Sequence, residues 1–309
     1  MITKARAFCP AGVSSFFEIC DKTSEGTRIG DPKYIGARGG GFALDKGVST
    51  DISLAEAEEN NIDIFINQSL WLIADTTKTV VETLLEKVPK TYHVTVKHHV
   101  HVPIGAGFGS SAAGALGTAL ALSKALGLNF TYNHLGRIAH EAEVKCRTGL
   151  GTVGPLMHGG CGLTLEPGAP EIASLDQIPV SPENRIIVGT FRPYPTKEML
   201  ASQEKREIIN EWGQRTLKKI LVDPSLENFM RACKEFAIGT NFVTERVKRL
   251  IEAAEKVGAV GAAQNMVGEA VHALVTVDRL EDVVGAFKKF LSEEKIIIAN
   301  IDLEGARIG

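Results

Sequence analysis

The stretch PIGAGFGSSAAGALG, from Pro103 to Gly117, constrains this chain more than any other. Before it stands TYHVTVKHHVHVP, in which His93, Thr95, Lys97, His99 and His101 alternate with Val94, Val96, His98, Val100 and Val102. That period of two predicts a half-buried strand stopped by Pro103. Ser111 to Leu126 predicts a helix. The order is strand, glycine loop, paired serines, helix. A helix N-terminus presents unpaired N–H groups and partial positive charge, and glycines let an anion approach the backbone. The plainer reading is a glycine turn with a serine N-cap.

Three phosphate or nucleophile motifs can be held against this stretch. A P-loop needs Gly-Lys-Ser/Thr, and the chain has no Gly-Lys pair. A dinucleotide fingerprint needs a third glycine where Ser110 stands, and its βαβ unit with an acidic strand end is missing. A nucleophile elbow needs G-x-S-x-G, which Gly109-Ser110-Ser111-Ala112-Ala113 does not supply. What remains is P-x-x-x-G-x-G-S-S-A-A.

That pattern resembles the nucleotide-binding motif of the GHMP kinases, usually close to PxxxGLGSSAA. FCPAGVSSFFEI stands where that superfamily has its first motif, and GAVGAAQNMVGEAVHALV takes the place of its last glycine-rich turn in an unusual form. Together with GARGGGFALDKGV and EAEVKCRTGLGTV, these segments resemble the archaeal pantoate kinase branch, over essentially the whole chain. The resemblance implies an α+β, two-domain fold: an N-terminal part like domain 2 of ribosomal protein S5 and an α/β C-terminal part. It places the nucleotide-binding domain at 1–175 and the C-terminal domain at 176–309, consistent with a change of character near 168–182.

The resemblance also implies ATP and Mg²⁺ as cofactors and pantoate as the small-molecule substrate, phosphorylated on a hydroxyl. Pro103, Gly105, Gly107, Gly109, Ser110, Ser111 and Ala112 would bind ATP. Ser111 and Glu143 would hold Mg²⁺, and Glu143, Thr152 and Ser111 would form the catalytic set. Arg38, His140, Ser14 and Ser15 would contact the substrate, Arg38 through a carboxylate. For Glu143 the plain alternative is a surface glutamate paired with Arg147 at i, i+4; for Arg38 it is a solvated loop arginine, and for His140 a structural histidine.

Three positions depart from the family pattern. Thr152 stands where Asp commonly follows TGLG, Ala37 where Ser is common, and Thr164 near a usual basic residue. Threonine is no general base, so the acceptor hydroxyl would lose its proton late, or Asp45 would substitute. The departures keep two other readings open: a related kinase for another hydroxy acid or alcohol such as mevalonate or homoserine, and a catalytically silent ATP-binding regulator. The Ser111/Glu143 pair argues against silence, since a silent protein needs no metal ligand.

Composition removes other classes. The net charge is −3 with no basic block, which argues against nucleic acid as a partner. No apolar run reaches membrane-spanning length, and MITKARAFCP lacks the apolar core of a signal peptide. Five cysteines without a CxxC pair read as free thiols in a reducing cytoplasm. His98, His99 and His101 invite a metal reading, but a strand turns His98 away from the other two.

Elsewhere the chain predicts strands at ITKARAFCP, VSSFFEIC and DIFIN, and a loop or open hairpin over Asp21 to Gly41. It also predicts a helix from Asp75, as cap, to about Lys87, and one from Thr131 to Cys146. Strands follow at GGCGLTLEPG and RIIVGTF. Helices follow at about Thr196–Leu221, Pro224–Ile238 (capped by Asp223) and Val243–Val257. The end reads as strand, helix, strand: VHALVTV, LEDVVGAFKKFLS, KIIIANI. Strands are expected mainly in the first half. The apolar stripes of the later helices are core or the surface of a homodimer.

Overall fold

A computed structural model describes residues 3–192, 202–266 and 268–309. Among these, eight strands form a first sheet of order β12-β1-β2-β5-β3-β4, with β6 paired to β2 and β7 to β6. The strands are β1 (Thr3–Cys20), β2 (Gly36–Glu56), β3 (Asn61–Ile66), β4 (Ser69–Leu70), β5 (Tyr92–Val100), β6 (Cys161–Glu166), β7 (Ser174–Ile178) and β12 (Arg307–Ile308). A second sheet has the order β11-β8-β10-β9, from β8 (Asn184–Arg192), β9 (Gly261–Gln264), β10 (Glu269–Thr276) and β11 (Ile296–Asn300). The pairings are antiparallel except for β3 with β5.

The helices are α1 (Asp75–Leu85), α2 (Ser110–Leu126), α3 (Tyr132–Cys146), α4 (Val153–His158), α5 (Gln203–Val222), α6 (Leu226–Gly239), α7 (Glu245–Lys256) and α8 (Leu280–Lys288). Helix α2 lies directly on β1 and β2, flanked by α1 and α3. Its residues from Ala112 to Ser123 are all buried. Small side chains are what permit this approach: a Cβ on Gly117 would stand 2.6 Å from Thr50 Oγ1. The bare helix therefore serves packing, whereas the bare loop before it is left for something else.

One core joins α1, α2 and α3 to the first sheet. A second is shared by both sheets, with Phe42 edge-on to Phe229 at 5.4 Å between ring centroids and Phe16 near both Phe229 and Phe236. A third packs α7 and α8 on the second sheet. Strand pairing passes from the first sheet to the second between Ile178 and Asn184, and the chain returns through β12.

The two early strands are one strand. β1 is covered by α2 on one side and α5 on the other, so its residues are buried consecutively rather than alternately. Pro10 sits where the β1–β2 register shifts, between Cys9 and Ala11, and a bulge tolerates the missing N–H. Of the expected loop or open hairpin over Asp21 to Gly41, Gly36–Gly41 belongs to β2 and pairs antiparallel with β1, and Gly39–Gly41 also pair with β6. These glycines mark close backbone approach, not a turn.

Smaller differences have equally local causes. Ala74, not Asp75, is the N-cap of α1, and Asp75 lies in the first turn, where its charge suits the helix dipole. Ser225 caps α6 by accepting from Asn228 N–H, which leaves Asp223 and Pro224 outside the helix. The helix expected from Thr196 is described from Gln203; residues 196–201 of that expectation lie outside the described residues. The strands expected at RIIVGTF, VHALVTV and KIIIANI match β8, β10 and β11, which with β9 form a sheet of their own. No described helix is long and apolar enough to cross a membrane.

Candidate active site

A cavity of about 400 Å³ opens between the glycine loop, the bulged part of β1, the glycine-rich start of β2 and the α3–α4 connection. The loop builds one wall. Gly105, Gly107 and Gly109 have φ of 77°, 82° and 61°, in the left-handed region that side chains disfavour. Gly109 is the N-cap of α2, and no side chain caps that helix. The serine cap of the plainer reading is absent, so no side chain caps the first-turn N–H groups. Gly105, Gly107, Gly109, Ser110 and Ser111 line the cavity, whereas Pro103 and buried Ala112 stand behind it.

Glu143 reaches the cavity from α3. It is 3 % exposed, so it is not the surface partner of Arg147. Ser111 Oγ donates to its Oε1 at 2.6 Å and Thr148 Oγ1 donates to the same atom at 2.7 Å. Oε2 receives no hydrogen bond among the described residues. Burial pushes the Glu143 carboxyl up, and the two hydroxyl donors only partly oppose that. A buried carboxylate beside a serine hydroxyl, with one oxygen spare and no cation paired to it, is a hard-oxygen donor set that fits Mg²⁺.

Thr152 lines the cavity at the start of α4, and its hydroxyl does not cap that helix. Ala37 and Thr164 line the same cavity, so all three departures from the family pattern meet there. Glu143 is the one carboxylate among the described lining residues, against two arginines, Arg38 and Arg147. Asp45 does not reach the cavity. It accepts from Asn300 N–H and Nδ2 between β2 and β11, which removes it as a substitute base.

Arg38 stands on strand β2 rather than in a loop. It donates to Leu165 O at 3.0 Å and Glu166 Oε2 at 2.9 Å, and pairs with buried Glu18 at 3.4 Å. Ser14 lines the cavity. Ser15 does not: at the register irregularity between Ser14 and Phe16 it turns into the shared core, where its Oγ lies 2.8 Å from His272 Nε2. Burial lowers the His272 pKa to about 3. His140 is also turned away from the cavity lining; its Nε2 donates to Ile35 O at 2.8 Å, and burial lowers its pKa. It holds the chain entering β2. His98 is satisfied by Thr50 and Thr77 hydroxyls, at 2.9 and 3.1 Å, between β5, β2 and α1.

Sequence reasoning passed over Arg147, Thr148 and Met266 as site residues. Arg147 and Thr148 stand immediately before GLGT, and Arg147 is the left-handed C-cap of α3 with φ 56°. A non-glycine residue forced into that region marks an over-determined turn, but its φ is invisible in sequence. Met266, with φ 52°, brings the last glycine-rich segment to the cavity.

A family profile described as GHMP kinases N terminal domain matches residues 75–160. The pantoate kinase of Methanocaldococcus jannaschii is 31% identical over 284 residues, covering 91% of this chain and 96% of that protein. The pantoate kinase of Thermococcus kodakarensis is 31% identical over 311 residues, covering 98% of both. A solved structure described as a phosphotransferase related to the CoA biosynthesis pathway superposes with a TM-score of 0.86 at 29% identity, over 99% of this chain and 98% of that one.

Proposed function

Because the chain belongs to the pantoate kinases of the GHMP kinase superfamily, we propose that it transfers the γ-phosphoryl group of ATP to a hydroxyl of pantoate, giving 4-phosphopantoate for coenzyme A biosynthesis. The observation that carries this reading is the juxtaposition in one cavity of an uncapped helix start, a glycine loop and a buried Ser111–Glu143 pair.

Phosphoryl transfer asks for positioning and charge neutralisation more than covalent chemistry. The loop and the N-terminus of α2 hold the ATP phosphates through backbone N–H groups, with Ser110 and Ser111 adding hydroxyls. Ser111 and Glu143 would hold Mg²⁺, which would neutralise phosphate charge. Thr152 accepts a hydrogen bond from the acceptor hydroxyl and fixes it toward the phosphate wall. The hydroxyl oxygen attacks phosphorus, the bond to ADP breaks, and the proton leaves late to a phosphoryl oxygen. The absence of a second carboxylate among the described lining residues supports that order.

The cavity also favours pantoate's chemistry. Val13, Phe17 and Leu156 offer apolar wall to its two methyl groups, and Arg38 offers a cation to its carboxylate. Homoserine carries an ammonium, and the one carboxylate among the described lining residues, Glu143, would be committed to Mg²⁺. Exposed Glu166 gives way when the acceptor's carboxylate engages Arg38. Arg38→Met is then expected to raise KM for pantoate about ten- to a hundredfold with KM for ATP nearly unchanged, the range for losing a bond to a charged group. Steady-state kinetics with each substrate varied in turn checks this.

The proposal itself is tested by ADP release from Mg-ATP with pantoate, pantothenate, mevalonate, homoserine and glycerate. Turnover is expected with pantoate alone. Turnover with mevalonate instead would reassign the acceptor, and ATP binding without turnover on any of them would favour a silent regulator.

A further inference from the structure

The glycine loop is anchored in the shared core by the side chains of Ala106 and Phe108, but its backbone makes few hydrogen bonds. Residues with left-handed φ at Gly105, Gly107 and Gly109 make no regular ladder, so the loop's geometry must come from neighbours. Among the described residues, two hydrogen bonds reach that backbone from outside. Gly12 N–H on β1 donates to Phe108 O at 3.0 Å. The other comes from Asn265, at the end of β9 and 0 % exposed.

Asn265 uses both ends of its amide. Oδ1 accepts from Ser14 N–H at 3.1 Å, and Nδ2 donates to Ala106 O at 3.2 Å. The orientation is fixed by its partners, because one is only a donor and the other only an acceptor. The next residue adds a backbone bond from Met266 N–H to Ser14 O at 2.8 Å. A residue of the second sheet is thus wedged between the phosphate wall and the β1 bulge where Ser14 faces the acceptor. Gly107 leaves room for it: a Cβ there would be 3.2 Å from Asn265 Nδ2.

We infer that Asn265 is a positioning residue that sets the distance between the phosphate loop and the acceptor strand, and so the alignment of the two reacting groups. It touches neither reactant. Its effect falls on the alignment between two bound substrates, where a misplacement of about 1 Å costs on the order of a hundredfold in rate. The inference rests on the phosphoryl-transfer reading for its kinetic arm and on the loop alone for its second arm.

Asn265→Asp is the informative variant. It keeps an acceptor for Ser14 N–H but sets a carboxylate oxygen against the Ala106 carbonyl. Asn228→Asp is the control: this buried asparagine also donates to two carbonyls, Lys219 O and Asp223 O, far from the cavity. For Asn265→Asp, kcat per active site, counted by ATP-binding stoichiometry, is expected to fall at least about tenfold. KM for each substrate should move less than about threefold, and Asn228→Asp should keep the wild-type kcat. Hydrogen exchange of the 104–109 amides should quicken in Asn265→Asp and not in the control. An unchanged kcat per active site with unchanged loop exchange would overturn the inference, as would equal losses in both variants. If wild-type protein does not phosphorylate pantoate, the functional reading fails, and exchange of the 104–109 amides in Asn265→Asp against Asn228→Asp still decides whether Asn265 holds the loop.

Discussion

Replacing Glu143 with glutamine is expected to cost about a thousandfold in kcat and yet to raise the melting temperature of the metal-free protein near neutral pH. Both follow from one geometry. Ser111 and Thr148 donate to the same oxygen, Oε1, so an amide oxygen there keeps both bonds and the fold survives. The other position becomes an NH₂, which cannot ligate a cation. Losing a charge-stabilising element of a phosphoryl-transfer site costs on the order of 10³ in rate. The stability gain has the sign of a carboxyl whose pKa is raised by burial. Such a group contributes its full stability below its unfolded pKa and loses it as pH rises through the folded one. Glutamine does not ionise and so avoids that loss. Thermal melts from pH 4 to 8 should show the variant above wild type at the upper end, converging below about pH 4.5. Added Mg²⁺ should raise the melting temperature of wild type only. A variant less stable than wild type throughout the range would mean that Glu143 is held ionised by partners other than a metal.

The second large effect is structural. Gly41→Ala should lower the melting temperature by on the order of 10 °C, or leave no folded protein, from a methyl group alone. Gly41 pairs with Ser14 on one side and Gly162 on the other. A Cβ would lie 1.9 Å from the Val13 carbonyl oxygen, which is backbone and cannot swing aside. Relief requires moving β1 where it carries Ser14, so overpacking of roughly 3 kcal/mol or more is expected, at about 2–4 °C per kcal/mol for a chain of this size. Gly285→Ala, on the open face of α8 where nothing lies within 4 Å, is the matched control and should be neutral or slightly stabilising. Differential scanning calorimetry of the two variants decides the point.

How much of this was legible in the sequence differs by element. The strand before the loop and the helix after it were readable because β5 has one buried face and α2 follows a glycine punctuation mark. β1 was not, because both its faces are covered and burial erases alternation. The glycines of Gly36–Gly41 look like a loop in sequence because close approach to another backbone and turn formation call for the same residue. β7 and β9 are five and four residues long, too short to show a period.

The site divides the same way. Gly105, Gly107, Gly109, Ser110, Ser111, Glu143 and Thr152 share the cavity lining, since the loop and the following helices present them locally. Ser15 and His140 went to the interior because the resemblance names a segment or helix face, whereas a strand's bulge and a helix's rotation choose the side chain. Asn265 was unreadable: its partners are 251 and 159 residues away in sequence.

Phosphorus-31 NMR of the products from Mg-ATP and pantoate tests the central claim most directly. The account predicts a new phosphate monoester signal split into a triplet by an adjacent CH₂, in one-to-one proportion with ADP, and no such signal with Glu143→Gln. A doublet would place the phosphate on the secondary hydroxyl. Inorganic phosphate alone, or no consumption of ATP, would contradict the assignment of this cavity to phosphoryl transfer onto pantoate.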